Sequence, residues 1–141
     1  MAVTSKADAE WKGSLKEGAG KVRFGSGSYS GDYTFASRFE TGKGTNPEEL
    51  IAAAHAGCYS MQLSGVLTAA GKPPTSINTN AAVTIQAGVG ITGIVLETSA
   101  VVPGATDAEF QELATKAKEI CPVSRALAGV KDITLKATLK S

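Results

Sequence analysis

Two cysteines, Cys58 and Cys121, one histidine, His55, and three arginines, Arg23, Arg38 and Arg125, hold most of the chemistry this chain could perform. With a single histidine, a Ser-His-Asp hydrolase would have to be built on His55, and no GxSxG elbow accompanies it. His55, Cys58 and Cys121 together fall one ligand short of a four-coordinate zinc site, and their spacing is poor for one. No GxxxxGK[ST] segment is present to cradle phosphates. Thiol chemistry is the first candidate left.

Cys58 falls inside a long apolar stretch and admits two readings. It could be a small buried hydrophobe, as free cysteines commonly are. It could instead be a reactive thiolate, but burial alone raises a thiol pKa. The helix dipole offers no help about twelve residues past the cap. A thiolate there needs a cationic neighbour, and arginine suits a buried position because it stays charged. Cys121 precedes Pro122, so it is pushed out of the α region and can cap a restarted helix, beside free backbone N–H groups that favour a thiolate. A backbone break also suits a thiol that must approach another sulfur, although simple packing beneath the break explains it too. His55, three residues before Cys58, reads as a core or interface residue, and a Cys-His pair stays open as the alternative.

The elements that must position these residues belong to one domain, residues 1–141. Hydrophobic residues make up 43% and charged residues 19%, a globular mixture. The 14 basic against 13 acidic residues leave no footprint for nucleic acid. No apolar run is long enough to span a membrane. The segment Met1 to Leu15 lacks an apolar core and carries Asp8 and Glu10, so a cytoplasmic protein without an export signal is expected. Two cysteines in such a compartment are not expected to form a permanent staple.

Between Glu10 and Glu40 the pattern predicts an antiparallel meander, with glycines at the turns and Tyr29, Gly31, Tyr33 and Phe35 alternating on one face. Asn46 then suits an N-cap, Pro47 the first helical position and Glu49 a capping-box acid that reaches back to Asn46. A helix of about 24 residues should follow, ending near Gly71. It has no charged face, which marks a buried central helix. A chain of 141 residues can hardly cover it alone, which points to a partner chain. Ser76–Ile85 and Ile91–Val102 predict a β-hairpin around Gly88 and Gly90. A capping box at Thr106 and Glu109 opens another helix, Pro122 breaks it, and PVSRALAG restarts it. Ile133, Leu135, Ala137 and Leu139 alternate with polar residues in a last strand. The fold class is α+β.

The segment GTNPEELIAAAHAGCYSMQLSG, followed about sixty residues later by EICPVSRAL, resembles the OsmC/Ohr family of organic hydroperoxide reductases. SRFETGKGTNPEEL and EWKGSLKEGAGKV are similar to the OsmC branch, so the resemblance spans essentially the whole chain. It implies an OsmC-like fold, with antiparallel sheets wrapped around long central helices in an intertwined homodimer. It places the peroxidatic cysteine on Cys58, the resolving cysteine on Cys121, the NPE glutamate on Glu48 and the RFE arginine on Arg38. Arg23 lies in no matching motif. His55 matches the OsmC branch, where Ohr proteins carry tyrosine, and it is given no catalytic role. Gly57 stands where relatives often have alanine.

The implied chemistry reduces organic hydroperoxides to alcohols. Arg38, held by Glu48, would stabilise the Cys58 thiolate; a Cys58 sulfenic acid would form and condense with Cys121 to a disulfide. An external thiol, in this family a lipoyl group on a partner protein, would reduce it. Met61, Ile51 and Phe39 would favour an alkyl tail, and no cofactor or metal is implied. Glu48 and Cys58 would lie about 15 Å apart on one straight helix, beyond side-chain reach. Two antiparallel copies crossing near Ala53 would bring Glu48 of one beside Cys58 of the other, giving an obligate homodimer with shared sites. The competing expectation is a non-catalytic dimeric module that binds a small apolar ligand.

Overall fold

The computed structural model describes residues 1–140. They divide into two compact units, Met1–Leu50 and Ile51 onward.

In the first unit, β1 (Ala7–Lys12), β2 (Ala19–Phe24) and β3 (Ser30–Tyr33) form an antiparallel sheet in that order. Gly20 pairs with both Trp11 and Tyr33. The two rings tilt together with centroids 5.3 Å apart. A Cβ on Gly20 would stand 2.5 Å from the Tyr33 ring, so only glycine admits this pairing.

The strand expected to run through Phe35 stops at Tyr33, and a short helix, α1 (Phe35–Phe39), takes over. Thr34 caps it: the Thr34 hydroxyl accepts from the backbone N–H of Ser37 at 3.0 Å, and the Ser37 hydroxyl accepts from that of Thr34 at 2.8 Å. Two donors that a strand would leave to a neighbour are thus satisfied locally. α1 carries Arg38.

Helix α2 (Pro47–Ala69) starts at the expected cap. Asn46 Oδ1 accepts from the N–H of Glu49 at 2.8 Å. The other half of the expected box is replaced: Glu49 Oε1 accepts from the Thr45 hydroxyl at 2.8 Å. An O–H donor to a carboxylate makes a strong charge-assisted bond, and Thr45 offers one just ahead of the cap.

In the second unit, β4 (Ser76–Gln86) and β5 (Gly90–Val101) form the expected hairpin, with Gly88 and Gly90 at φ +78° and +119° in its turn. Its alternation is as expected, with Ile94, Leu96, Ala100 and Val102 buried. Helix α3 (Asp107–Ile120) is capped by the Thr106–Glu109 box. Cys121 leaves the helix at φ −59°, ψ +120°, and α4 (Pro122–Ala126) restarts it with Pro122 at its first position. The last strand, β6 (Ile133–Leu139), runs parallel to β5, so this sheet is mixed where antiparallel pairing was expected. A parallel neighbour needs a crossover, and α3 with α4 supplies it. β5 is therefore the central strand.

Around β5 the core collects Tyr59, Leu63, Val66 and Leu67 from α2, Leu96, Ala100 and Val102 from the sheet side, and Phe110, Ala114, Ala117 and Cys121 from α3 and its end. The buried residues of α2 recur at helical spacing: His55, Tyr59, Leu63, Val66. Tyr59 anchors this face by donating its hydroxyl to the carbonyl of Ala114 at 2.9 Å. The opposite stripe, Ala53, Ala54, Gly57, Met61 and Gly65, stays exposed, and Met61 reaches 79%.

Candidate active site

The core that fixes α2 against α3 also fixes two sulfurs. Cys58 is half-buried on α2, and Cys121 is fully buried at the α3–α4 break. Both thiols are free, and the Cys121 thiol donates to Cys58 Sγ at 3.3 Å. A disulfide needs a separation near 2 Å, so about one ångström of motion joins them.

Their titrations diverge. Burial pushes the Cys58 thiol up, and the neighbouring Cys121 adds to this against a bond from the Val123 backbone. At Cys121, burial also raises the pKa, but other contacts outweigh it. These are the backbone N–H and hydroxyl of Ser124, the Cys58 thiol and the Val123 N–H, and the net shift is downward. The N–H groups belong to the first turn of α4, where negative charge is favoured. No cation contributes to either thiol.

Arg38 and Glu48 meet in the first unit. Arg38 Nε donates to both carboxylate oxygens at 3.2 Å, and Nη2 donates to Oε1 at 2.8 Å. Glu48 is only 5% exposed, whereas the Arg38 side chain keeps 36% of its surface open. A buried carboxylate without a partner is costly, so Glu48 commits the guanidinium to one orientation while its other face stays free. The Phe39 ring backs it, with the guanidinium carbon 5.1 Å from the centroid. Arg23 instead pairs with Asp8 on the exposed face of the first sheet. Of the four residues singled out from the sequence, the structure thus joins Cys58 to Cys121 in one unit and Arg38 to Glu48 in the other.

Ser124 is the residue that the sequence did not flag. His55 is fully buried, and its Nε2 lies 2.6 Å from the Ser124 hydroxyl. Among the described residues no group of three or more His, Cys, Asp or Glu is arranged to hold a metal ion, and no helix is long and apolar enough to cross a membrane.

Burial lowers the His55 pKa below its ordinary 6.5. The unfolded chain therefore binds a proton that the native ring resists, so stability falls as pH drops below about 6.5. The added slope can reach about 1.4 kcal/mol per pH unit. Urea unfolding between neutral and mildly acidic pH should lose stability more steeply for the wild type than for His55→Gln. Parallel slopes would contradict a buried neutral imidazole.

Residues 40–136 match the family model described as OsmC-like protein. The chain belongs to the OsmC family. It is 47% identical over its full length, and over the full length of the other, to a protein of Escherichia coli (strain K12) named "Peroxiredoxin OsmC". It is 40% identical, over 67% of each chain, to an "Organic hydroperoxide resistance protein" of Xanthomonas axonopodis pv. citri (strain 306). The crystal structure of an organic hydroperoxide resistance protein OsmC from Legionella pneumophila shares the fold, with a TM-score of 0.71 over 99% of this chain and 100% of that one, at 23% identity. The α+β architecture with two small sheets is thus the fold of this family.

Proposed function

We propose that this protein is a thiol peroxidase that reduces organic hydroperoxides to alcohols. The observation that carries the proposal is the pair of free thiols 3.3 Å apart, one of them half-open to solvent, in a chain of this family. In this reaction the Cys58 thiolate attacks the distal peroxide oxygen, the O–O bond breaks and the alcohol leaves. Cys58 becomes a sulfenic acid, which Cys121 converts to a disulfide with loss of water. An external dithiol, such as a lipoyl group, then exchanges with the disulfide and restores both thiols. Dependence on such a reductant suits the cytoplasm.

Arg38 is the cation this scheme assigns to Cys58, with Glu48 holding it. A thiolate at Cys58 needs such a cation, because burial disfavours its ionisation and no cation acts on it from its own surroundings. Glu48 and Cys58 lie about ten residues apart on α2, some 15 Å along the axis, so a single chain does not bring them together. A homodimer does. The exposed stripe Ala53, Ala54, Gly57, Met61 and Gly65 is apolar and mostly small, and a Cβ built on Gly57 or Gly65 meets no atom of the chain. A second α2 crossing there antiparallel would cover this stripe and deliver Arg38 and Glu48 of one chain to Cys58 of the other. Both units then belong to one domain completed by the partner.

Turnover of cumene hydroperoxide with dihydrolipoamide as reductant tests this reading. Repeated turnover is expected. Tight binding of the hydroperoxide or its alcohol without consumption of thiols would favour a non-catalytic apolar-ligand module instead.

A further inference from the structure

Helices α1 and α3 each open on a reciprocal capping box, in which the third helical residue, Ser37 or Glu109, bonds back to the cap. Helix α4 opens on Cys121 and has no such support, because the Cys121 side chain makes no cap bond. Its thiol is turned to Cys58 instead, at 3.3 Å. The third helical residue of α4 is Ser124, and its hydroxyl lies 2.6 Å from Nε2 of the fully buried His55 on α2. The five residues of α4 are too few to hold a helix by themselves. The tie that a local cap gives the other two helices is supplied to α4 from across the core.

The state of the ring fits a tie. Nδ1 is buried without a partner. A neutral imidazole carries one N–H and one bare lone pair. With the proton on Nε2, the ring donates to the Ser124 hydroxyl and leaves only a lone pair at Nδ1. The other tautomer would bury an unpaired N–H, which is the rarer defect. A second proton at Nδ1 would likewise find no acceptor, and burial already lowers the basicity of the ring. His55 is therefore a neutral donor. The unpaired nitrogen also argues against mere packing, since an apolar side chain would fill the space without leaving a polar atom unsatisfied.

We propose that His55 is a positioning residue: its bond to Ser124 holds the start of α4 against α2 and so keeps the resolving Cys121 within reach of Cys58. This rests on the peroxidase reading above. His55 precedes Cys58 on α2 by one helical turn, and Ser124 follows Cys121 on α4 by the same spacing, so the tie lies one turn from both sulfurs. On the other side of Cys121, Tyr59 of α2 holds α3 through the Ala114 carbonyl at 2.9 Å. Cys121 is thus the joint between two helices that α2 grips separately. With the task of the cap handed to His55, its sulfur is free to move the last ångström or so, about the distance to a disulfide. Without the tie, α4 pivots at the break and Cys121 spends time out of range. A misplacement of about one ångström can cost a proximity-driven step up to about a hundredfold.

Single-turnover quenched flow separates the two chemical steps. Reduced full-length protein is mixed with one equivalent of cumene hydroperoxide, then trapped with dimedone and an alkylating reagent, and sulfenic acid and disulfide are counted by mass spectrometry. In His55→Leu, closure to the disulfide should slow about tenfold or more, while sulfenic acid forms within about twofold of the wild-type rate. Ser124→Ala cuts the same bond from its other end and should show the same split, which covers a His55→Leu chain that does not fold. His55→Gln keeps a side-chain N–H donor and should bring closure back to within about threefold of wild type. The deficit relative to wild type should be equal at about pH 7 and about pH 9, because no proton passes through the ring. Tyr59→Phe loses a buried bond to α3 but leaves α4 tied, so its closure should stay within about twofold of wild type. Closure near the wild-type rate in Ser124→Ala, no rescue by glutamine, a deficit that vanishes at the higher pH, or equal slowing in Tyr59→Phe would overturn the positioning role. Absence of any sulfenic acid or disulfide in the wild type would instead overturn the peroxidase reading beneath it.

Discussion

Cys58→Ser is expected to lower hydroperoxide turnover by at least about a thousandfold, because it removes the nucleophile of the proposed scheme and a serine hydroxyl cannot replace a thiolate. Cys121→Ser should fail differently. Its Cys58 remains competent, so one equivalent of peroxide per chain is reduced in a burst. The chain then stalls as a sulfenic acid that dimedone traps. The contrast follows from the positions of the two sulfurs. Cys58 is the half-open one on α2, and Cys121 is closed off beneath the α3–α4 break, 3.3 Å away. On the proposed scheme a peroxide would meet the first and not the second. Steady-state assays with dihydrolipoamide and a single-turnover burst assay check both arms, and equal residual turnover in the two variants would contradict the roles assigned to them.

Arg38→Ala should also be inactive, by about a hundredfold or more, since the proposed scheme gives this guanidinium the stabilisation of the thiolate and the departing alkoxide. The more telling outcome comes from mixing. Refolding Cys58→Ser together with Arg38→Ala should recover about a quarter of wild-type activity: random pairing makes about half the dimers mixed, and each mixed dimer has one intact site of two. That intact site takes Cys58 from the Arg38→Ala chain and Arg38 from the Cys58→Ser chain. If each chain built its site alone, both chains of every mixed dimer would remain defective, and the mixture would be as inactive as its components. Size-exclusion chromatography with light scattering should show a dimer at micromolar concentration in each sample.

Local chemistry made several elements readable in advance. Asn46-Pro47 opens α2, the Thr106–Glu109 box opens α3, and Cys121-Pro122 breaks the chain because a residue before proline leaves the α region. Each of these signals acts within a few residues. Helix α1 is masked in the sequence because Tyr29, Gly31, Tyr33 and Phe35 alternate as a strand would, and five helical residues are too few to set a competing period. The Thr34–Ser37 pair was the available clue, but serine is a weaker signature than glutamate at that position. Alternation in β6 marked a strand without giving its direction, which depends on the α3–α4 crossover.

The residue types of the candidate site could be read from the sequence, and their contacts could not. Apolar residues all round α2 announced that both faces would be covered, but only the structure tells which stripe the chain covers itself, through His55, Tyr59 and Leu63, and which it leaves bare. The bond from His55 to Ser124 joins residues 69 positions apart, and no local pattern could encode it. The opposed titrations of the two thiols are likewise tertiary: they arise from enclosure and from the N–H groups at the start of α4.

Mass spectrometry of a non-reducing digest, taken after one equivalent of cumene hydroperoxide has reacted with the reduced protein, tests the central claim most directly. A single peptide pair joined through Cys58 and Cys121, with both thiols of each chain lost to alkylation, is the expected product. Consumption of the peroxide while both cysteines remain open to alkylation would mean that these sulfurs do not carry the reaction.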